Sequence, residues 1–475
     1  LEVEYDEYLM GTDGMILTLA TAHGAEIENA AENRIEPVPG RDLYTSLDLN
    51  IQSYAEQAAE KVLKAKNANR VSLIVMNPQN GEIYAMANVP EFNLNEPYEL
   101  IESMQAESGL MTDEERNELL NAMWRNPCIS DTYEPGSSFK IVTATAALEK
   151  GVVTLEDTFY CPGYKLVEDR QIRCHKTGGH GSETFVEGIQ NSCNPVFMEI
   201  GARVGVESLY ETFGRLGLFD RTGVDLPGEA GSIMHEAENV GAVELATISF
   251  GQSFQITPLQ LLRAVSAVVN GGKLITPHFG VSIRDQDGAV IKTLTWPVEE
   301  DVVSEETSET MKMLLESVVS EGTGNRAYLP GFHIGGKTAT SEKLPRSSNQ
   351  YIASFVGFAP AQDPQVIAIV MIDEPEGIYY GGTIAAPVIQ EVFADILPYL
   401  GIEESYTEEE VEEYQIASYP VPALVGLSVE EAEELLDSYE FGEIYYLGEG
   451  DTIREQFPLP GETVNRNSDL ILYME

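Results

Sequence analysis

The chain has 475 residues, 43% of them hydrophobic, which is enough for two or three domains with a sizeable core. Acidic residues outnumber basic ones by 78 to 28, and the formal net charge is −50. This surplus excludes nucleic acid and anionic membrane surfaces as principal partners, because binding phosphate groups requires basic surface. We interpret the charge as a solvated acidic surface.

The first segment, residues 1–41, is polar with short apolar clusters. We expect it to be the remnant of an N-terminal non-catalytic module that serves in dimerisation or as a pedestal. No apolar run approaches the roughly 18 residues of a membrane span. Because the sequence starts at Leu1 and not at a methionine, we expect a leader or membrane anchor to precede it in the full protein.

Residues 42–400 mix helical and strand patterns and predict one large α+β domain. Two β-rich runs within 70–89 are separated by the turn residues 77–81, a pattern that predicts a hairpin. The apolar run at 365–373 is typical of a buried strand.

Two further segments follow this domain. Residues 401–417 are acidic and poor in core residues, so they are predicted to form a solvated linker. Residues 418–475 predict a compact β-α-β-β module, whose helix should begin with a capping box formed by Ser428 and Glu431.

A possible nucleophile lies in the stretch YEPGSSFKIVTATAALEKG. Ser137 and Lys140 are three positions apart, so on a helix a hydroxyl and an amine would share one face. The apolar residues around them would anchor that helix in a core. This arrangement suits an activated serine. The alternative is a serine at the helix N-cap with a lysine extended along the surface.

Two later motifs favour the catalytic interpretation. Ser192 and Asn194 form an S-x-N motif, and Lys337 with Thr338 follows two glycines in a strand-like run. In chain order these motifs are S-x-x-K, S-x-N and K-T-x, a combination found in serine enzymes that act on penicillin-like substrates. Any one motif is weak, whereas the three in this order point to one active site.

The motifs, together with TSLDLNIQ, NPQNGEIYAMANVPEFNLN and GQSFQITPLQLLRAVSAVVNGG, resemble class B penicillin-binding proteins, the D,D-transpeptidases of cell-wall synthesis. The likeness covers nearly the whole chain. It implies that residues 42–400 form a transpeptidase domain of the kind shared with serine β-lactamases, an antiparallel sheet with helices. Residues 418–475 resemble one PASTA repeat, and a single repeat suggests a sporulation-type member of a Gram-positive lineage.

The resemblance implies a role for each residue of the first two motifs. Ser137 would attack the carbonyl of the penultimate D-Ala of a peptidoglycan stem peptide and form an acyl-enzyme. Lys140 would accept the Ser137 proton. Ser192 would relay a proton to the leaving amine, and Asn194 would orient Lys140 and hold the substrate amide.

The third motif is expected to bind the substrate. Lys337 would supply positive potential for the substrate carboxylate, with the hydroxyls of Thr338 and Thr340 as partners. The oxyanion would lie between the backbone N–H groups of Ser137 and Thr340. The family usually has glycine where this chain has Ala339, so we expect activity to survive with an altered substrate or β-lactam fit.

The resemblance also implies partners and a location. The partners are stem peptides, β-lactams and a membrane glycosyltransferase, at the extracytoplasmic face of the bacterial membrane. Catalysis requires no cofactor. Three alternatives stay open: a β-lactam hydrolase, a β-lactam or muropeptide sensor in which acylation is a signal, and a structural protein with a vestigial site.

Three of the four cysteines lie close together in sequence with a histidine among them. Three thiolates and an imidazole make a closed tetrahedral zinc site, so we name as its candidate ligands Cys161, Cys174, His180 and Cys193. His175 is an alternative fourth ligand. A disulfide between Cys161 and Cys174 across the hairpin YKLVEDRQIR, or unconnected buried thiols, are the competing interpretations. Because Cys193 lies inside the S-x-N motif, the cluster should sit directly behind the active site.

Overall fold

A computed structural model describes residues 1–17, 33–105, 111–407, 409–411, 418–436, 438–439, 441–448, 450–465 and 468–475. The chain divides into two units, the first formed by Leu1–Leu329 with His333–Ile402 and the second by Pro330–Phe332 with Glu403–Glu475.

The strands of the first unit are, in chain order, β1 (Met15–Leu17), β2 (Asn33–Ile35), β3 (Asp42–Thr45), β4 (Arg70–Met76), β5 (Ile83–Val89), β6 (Thr158–Cys161), β7 (Tyr164–Val167), β8 (Arg170–Arg173), β9 (Gly181–Thr184), β10 (Leu274–Ile275), β11 (Gly280–Arg284), β12 (Val290–Thr293), β13 (Val298–Glu299), β14 (Gly335–Glu342), β15 (Tyr351–Ala359) and β16 (Val366–Asp373).

Its helices are α1 (Asp6–Leu9), α2 (Leu49–Lys66), α3 (Glu102–Gln105), α4 (Asp113–Trp124), α5 (Pro127–Ser130), α6 (Lys140–Glu149), α7 (Phe185–Gln190), α8 (Asn194–Val204), α9 (Val206–Arg215), α10 (Ala242–Ile248), α11 (Pro258–Val269), α12 (Glu305–Ser320), α13 (Gly381–Ile384) and α14 (Ala386–Tyr399). Short 3₁₀ turns lie at Gly136–Phe139, Ala237–Asn239, Asn325–Ala327 and Arg346–Ser348. Among the described residues, no helix has both the length and the apolar character that crossing a membrane requires.

The main sheet has the strand order β14-β15-β16-β4-β5, with every neighbouring pair antiparallel. The predicted hairpin is confirmed as β4 and β5, and its turn ends at Gly81, whose φ is +89°. Every residue of β16 is buried, as its apolar run predicts. The sheet thus confirms the predicted α+β class.

Helices cover this sheet on both faces. Ile74, Ile369 and Val356 are aligned across three strands and belong to the main hydrophobic core, which also contains α11. Successive strand residues point to opposite faces, and a Cβ at Gly357 would touch Ile389 of α14. The α11 side therefore holds the main core, and α14 packs on the other side. Strand β14, which contains the K-T-x motif, lies at one edge.

The N-terminal residues pack against the rest of the first unit. The Tyr5 hydroxyl donates a hydrogen bond of 2.5 Å to Asp225, whose carboxylate also accepts from the backbone N–H groups of Phe279 and Gly280. Strand β3 pairs with β11. The predicted origin of residues 1–41 in a non-catalytic module stays a prediction.

The second unit contains β17 (Ser418–Pro420), α15 (Val429–Leu436), β18 (Ile444–Leu447), β19 (Ile453–Phe457), β20 (Thr463–Asn465) and β21 (Leu470–Met474). The capping box is confirmed, because Ser428 and Glu431 exchange side-chain to backbone hydrogen bonds at the start of α15. The unit has its own core, centred on Leu424, Ala432 and Leu470. Two strands, β19 and β20, lie between β18 and β21 and are additional to the predicted β-α-β-β pattern.

Candidate active site

The S-x-x-K motif occupies a sharp turn that leads directly into a helix. Ser137 lies in the 3₁₀ turn Gly136–Phe139, and Lys140 is the first residue of α6. Phe139 is fully buried, with ring centroids 5.0 Å from Phe213 and 4.5 Å from Phe254. Aromatic packing in this edge-on geometry anchors the turn in the core. The predicted anchoring of this segment by apolar residues is thereby confirmed.

A close backbone approach supports the same turn. The N–H of Gly136 donates a hydrogen bond of 2.9 Å to the carbonyl of Gly251. Gly251 has φ of +88°, and a Cβ there would overlap the Gly136 carbonyl. Only glycine tolerates both conditions. Gly251 was part of a block that resembles the family, but nothing in the sequence indicated its contact with the catalytic turn.

Lys140 joins the first motif to the second. Its amine is fully buried and donates to the Ser192 carbonyl at 2.6 Å, the Ser192 hydroxyl at 3.1 Å and Asn194 Oδ1 at 2.8 Å. Burial lowers the pKa of Lys140 from its ordinary 10.5 to about 8. A neutral, proton-accepting amine is therefore accessible near physiological pH.

Lys337 lies in β14 and is also fully buried. Its amine donates a hydrogen bond of 3.2 Å to the Thr338 carbonyl. Burial, and then the charge of Lys140, lower the pKa of Lys337 well below its ordinary value. Lys337 is not on the wall of the cavity described next, but the effect of the Lys140 charge places the two amines near one another.

A cavity of about 530 Å³ brings the three motifs together. The predicted residues on its wall are Ser137, Ser192, Asn194, Thr338, Ala339 and Thr340. The Thr338 hydroxyl is 3.2 Å from the Thr323 hydroxyl, and Thr340 Oγ1 accepts from the Gly381 N–H at 3.0 Å. These contacts orient the hydroxyls of β14 at the cavity edge.

The wall also includes residues that the sequence analysis did not assign to the site, namely His175, Phe250, Gln252, Thr323, Asn325, Arg326 and Tyr380. Among the described residues of this wall, Arg326 is the one Lys or Arg, and none is Asp or Glu. Such a lining suits an anionic substrate. No motif marked these positions, because they come from separate loops that meet only in the folded chain.

Ala339 fits the strand without strain. It pairs with Ser354 in the regular register of β14 and β15, and it is buried. A Cβ at Gly136 would lie 3.6 Å from the Ala339 methyl group. The extra methyl therefore faces the catalytic turn, at the position where it can alter the fit of a ligand.

The four predicted metal ligands come together beside the S-x-N motif. Cys161 ends β6, Cys174 follows β8, His180 precedes β9, and Cys193 is the N-cap of α8. Their ligand atoms all lie within 4.8 Å of one another. Cys174 Sγ lies 3.7 Å from His180 Nδ1, close to the roughly 3.6 Å between a sulfur and a nitrogen on tetrahedral zinc.

Two further observations bear on this cluster. All four cysteines of the chain are free thiols, so the structure does not contain the alternative disulfide between Cys161 and Cys174. The carboxylate of Glu183 is buried, and its Oε2 has no hydrogen-bond partner among the described residues. That oxygen lies 3.7 Å from His180 Nδ1. A buried carboxylate oxygen without a partner, beside a histidine of the cluster, fits a nearby bound cation.

A larger groove of about 1200 Å³ lies elsewhere on the first unit. It is lined by apolar side chains such as Met86, Trp124 and Phe279, and it contains no residue of the three motifs. The smaller cavity is the candidate active site, because Ser137 lines it and the buried Lys140 amine contacts Ser192 and Asn194 on its wall.

Comparisons with known proteins agree with this assignment. The sequence pattern of the penicillin binding protein transpeptidase domain matches residues 71–396. Stage V sporulation protein D of Bacillus subtilis (strain 168) is 36% identical over 482 residues, which cover 100% of this chain and 71% of that protein. The probable peptidoglycan D,D-transpeptidase PenA of Neisseria gonorrhoeae is 30% identical over 85% of this chain and 64% of its own length.

A solved structure shows the same fold. Penicillin binding protein 3 of Mycobacterium tuberculosis, in complex with ampicillin, superposes with a TM-score of 0.70 and 25% identity. The match covers 85% of each chain. The predicted fold class and resemblance are confirmed, and the chain belongs to the penicillin-binding protein transpeptidase family.

Proposed function

We propose that this protein is a serine D,D-transpeptidase in which Ser137 is acylated by a peptidoglycan stem peptide. The observation that supports this most directly is the position of the Lys140 amine. It lies one turn after Ser137, is held by both residues of the S-x-N motif, and has a pKa lowered to about 8. These are the conditions under which a lysine can serve as a general base for a serine.

In the first half-reaction, Ser137 Oγ attacks the carbonyl carbon of the penultimate D-Ala while neutral Lys140 takes its proton. The negative oxygen is stabilised by the backbone N–H groups of Ser137 and Thr340. The proton passes through the Ser192 hydroxyl to the leaving amine. The peptide bond then breaks, terminal D-Ala departs, and an ester to Ser137 remains.

In the second half-reaction, an amine of another stem peptide attacks the ester carbonyl. That amine loses a proton through Ser192 and Lys140, the ester bond breaks, and Ser137 regains its hydrogen. The product is an amide cross-link between two stems. A β-lactam would enter the first half-reaction and remain as a stable ester.

The substrate carboxylate is assigned to the hydroxyls of Thr338 and Thr340. Both residues line the cavity, and the buried Lys337 would contribute positive potential when protonated. Asn194, which also lines the cavity, would hold the substrate amide.

Ser137→Ala tests the proposal. The variant should lose all covalent labelling by a fluorescent penicillin, because no nucleophile remains at that position. Ser138→Ala is the matched control, since Ser138 is adjacent, fully buried and absent from the cavity wall. A labelled Ser137→Ala protein would refute the assignment.

The lifetime of the label separates the alternatives. Rapid loss of the penicilloyl group with turnover would identify a hydrolase, whereas a stable adduct fits a synthase or a sensor. A cross-linking assay with lipid-linked precursor and a partner glycosyltransferase then distinguishes these two, because only the synthase makes dimeric stems.

The cellular setting follows from the substrate. Stem peptides are cross-linked outside the cytoplasmic membrane, so we propose an extracytoplasmic, membrane-associated location beside a glycosyltransferase that polymerises the glycan. The similarity to Stage V sporulation protein D supports a role in sporulation. For residues 418–475 we propose a PASTA repeat, supported by the helix and strands of the second unit.

We also propose a structural Zn²⁺ held by Cys161, Cys174, His180 and Cys193. Three sulfurs and one imidazole satisfy a closed tetrahedral site, which has no open position for chemistry. Its contribution would be to tie β6, β8 and α8 together. Elemental analysis of protein purified without added metal should find about one zinc per chain. Substoichiometric zinc with only two titratable thiols after denaturation would instead establish a disulfide.

A further inference from the structure

The buried carboxylate of Glu183 is neither one of the proposed catalytic residues nor one of the proposed metal ligands, so its role is still to be explained. Glu183 lies in β9 with 3% of its surface exposed. A buried carboxylate is costly unless its oxygens have partners. One oxygen accepts a hydrogen bond of 2.9 Å from the Asn191 side chain, and the other faces His180 at 3.7 Å. Glu183 therefore stands between the cysteine cluster and the residue that precedes Ser192.

The segment 191–193 is restrained at both of its ends. Asn191 is bonded to Glu183, and Cys193 belongs to the cluster. Between them, Ser192 has φ of +53°. A residue other than glycine adopts this left-handed conformation rarely, and it persists only where the surroundings enforce it. It closes the C-terminal turn of α7, where the N–H groups of Ser192 and Cys193 donate to the carbonyls of Ile189 at 3.1 Å and Gly188 at 2.9 Å. The two flanking contacts hold that turn in place against the cluster.

The conformation of Ser192 matters because two of its oxygens face Lys140. The Lys140 amine donates to the Ser192 carbonyl at 2.6 Å and to its hydroxyl at 3.1 Å. A change in the Ser192 backbone would turn the carbonyl away and move the hydroxyl with it. The base and the proton relay would then both lose their alignment.

A second link joins the same elements. Asn194 Oδ1 accepts from Lys140, while its Nδ2 donates to the carbonyl of Arg173 at 3.2 Å. Arg173 directly precedes Cys174, so the S-x-N motif is fastened to the cluster through β8 as well. Displacement of the cluster would therefore disturb the contacts of Lys140 with both Ser192 and Asn194.

We propose that Glu183 is a positioning residue of the active site, which together with the metal-bound cluster clamps residues 191–193 and so holds Ser192 against Lys140. The inference rests on the proposed zinc site and on the proposed roles of Lys140 and Ser192. Groups that surround a metal site and hold its ligands in place are typically worth about 10–100-fold in metal affinity or activity. Glu183 borders the cluster on one side and holds the loop of Ser192 through Asn191 on the other.

The test compares Glu183→Ala, Glu183→Gln and Asn191→Ala in the full chain. Glutamine keeps an oxygen that can accept from Asn191, whereas alanine removes it. Glu187→Gln is the matched control, because Glu187 lies four residues away at the exposed start of α7 and glutamine preserves its capping contact. The readouts are the acylation rate constant and apparent affinity for a fluorescent penicillin, zinc content, and the rate of zinc release to a chromogenic chelator.

We expect Glu183→Ala to lower the acylation rate constant at least tenfold, with apparent affinity for the penicillin nearly unchanged, and to speed zinc release. Asn191→Ala should lower acylation similarly while keeping about one zinc per chain. Glu183→Gln should restore acylation to within about threefold of the unmodified protein. The split between rate and affinity identifies positioning, because general loss of structure would reduce both.

If a folded Asn191→Ala variant were acylated at the rate of the unmodified protein, the proposed clamp would be overturned, even if Glu183→Ala failed to fold. An equal loss in Glu183→Ala and Glu183→Gln would also overturn it, since the Asn191 bond would then be irrelevant. Failure of the proposed function has a different signature. Labelling of Ser137→Ala would refute the nucleophile, and absence of zinc from the unmodified protein would refute the metal part of the clamp.

Discussion

The amine of Lys140 donates a hydrogen bond of 2.6 Å to the backbone carbonyl of Ser192, 52 positions further along the chain. This contact joins the helix that follows the nucleophile to the loop that holds the second motif. It also gives the amine a fixed direction, because the Ser192 hydroxyl and Asn194 accept its other hydrogens. The catalytic geometry therefore depends on the packing of α6 against the loop before α8.

Acylation should rise with pH and level off above pH 8. Burial lowers the pKa of Lys140 to about 8, so below that pH most of the amine is protonated and unable to accept the Ser137 proton. The rate constant should fall about tenfold for each pH unit below 7. Penicillin acylation measured from pH 6 to 9.5 checks this. Lys140→Ala should lose ~10²–10⁴-fold in rate and lose the pH dependence, and a flat profile for the unmodified protein would contradict the assignment.

Lys337→Ala should weaken acylation chiefly through poorer recognition of the ligand carboxylate. In the proposed site, the fully buried Lys337 contributes potential, whereas Thr338 and Thr340, which line the cavity, would make the direct contacts. Saturation kinetics with a penicillin should show a higher half-saturating concentration and a smaller change in the limiting rate. If the limiting rate alone fell, Lys337 would act on the chemical step.

Gly251→Ala should reduce acylation at least tenfold. The new methyl would overlap the Gly136 carbonyl and displace the catalytic turn, and small displacements of reacting groups are costly. Gly271→Ala is the matched control, because Gly271 has φ of +85° with no heavy atom of the described residues within 4 Å. Both variants pay a similar conformational penalty of about 1–2 kcal/mol in stability. Equal acylation by the two would show that the close approach is unimportant.

Deleting residues 418–475 should leave soluble acylation almost unchanged. Every residue that lines the catalytic cavity lies at or before Thr383, and the second unit has its own hydrophobic core. Labelling rate and melting temperature of the truncated protein provide the measurement. A large loss of labelling in a truncated protein that still melts cooperatively would show that this unit shapes the site.

Removing zinc should lower thermal stability. A structural metal contributes its binding free energy to folding, so a strong chelator should reduce the melting temperature by at least a few degrees. Cys193→Ser should melt lower and no longer respond to the chelator. Cys128→Ser should still respond, because Cys128 is buried elsewhere and lies outside the cluster. An unmodified protein that ignores the chelator would argue against a structural metal.

The sequence by itself identified the residues whose relation is local. Ser137 and Lys140 are three positions apart at the start of a helix, so their proximity follows from backbone geometry alone. The hairpin of β7 and β8, with cysteines beyond its two ends, followed in the same way. The four candidate metal ligands could be named because their residue types suit one ion, although their spacing matched no standard pattern.

Only the tertiary structure decided the relations between distant segments. It buried Lys337 completely, placed His175 on the cavity wall while His180 joined the cluster, and brought Gly251 against the turn of Ser137. The physical reason is that side-chain direction and close backbone approach depend on how helices and strands pack. Periodicity and motif order report which face of an element is apolar, but they contain no information on which distant loop that face will meet.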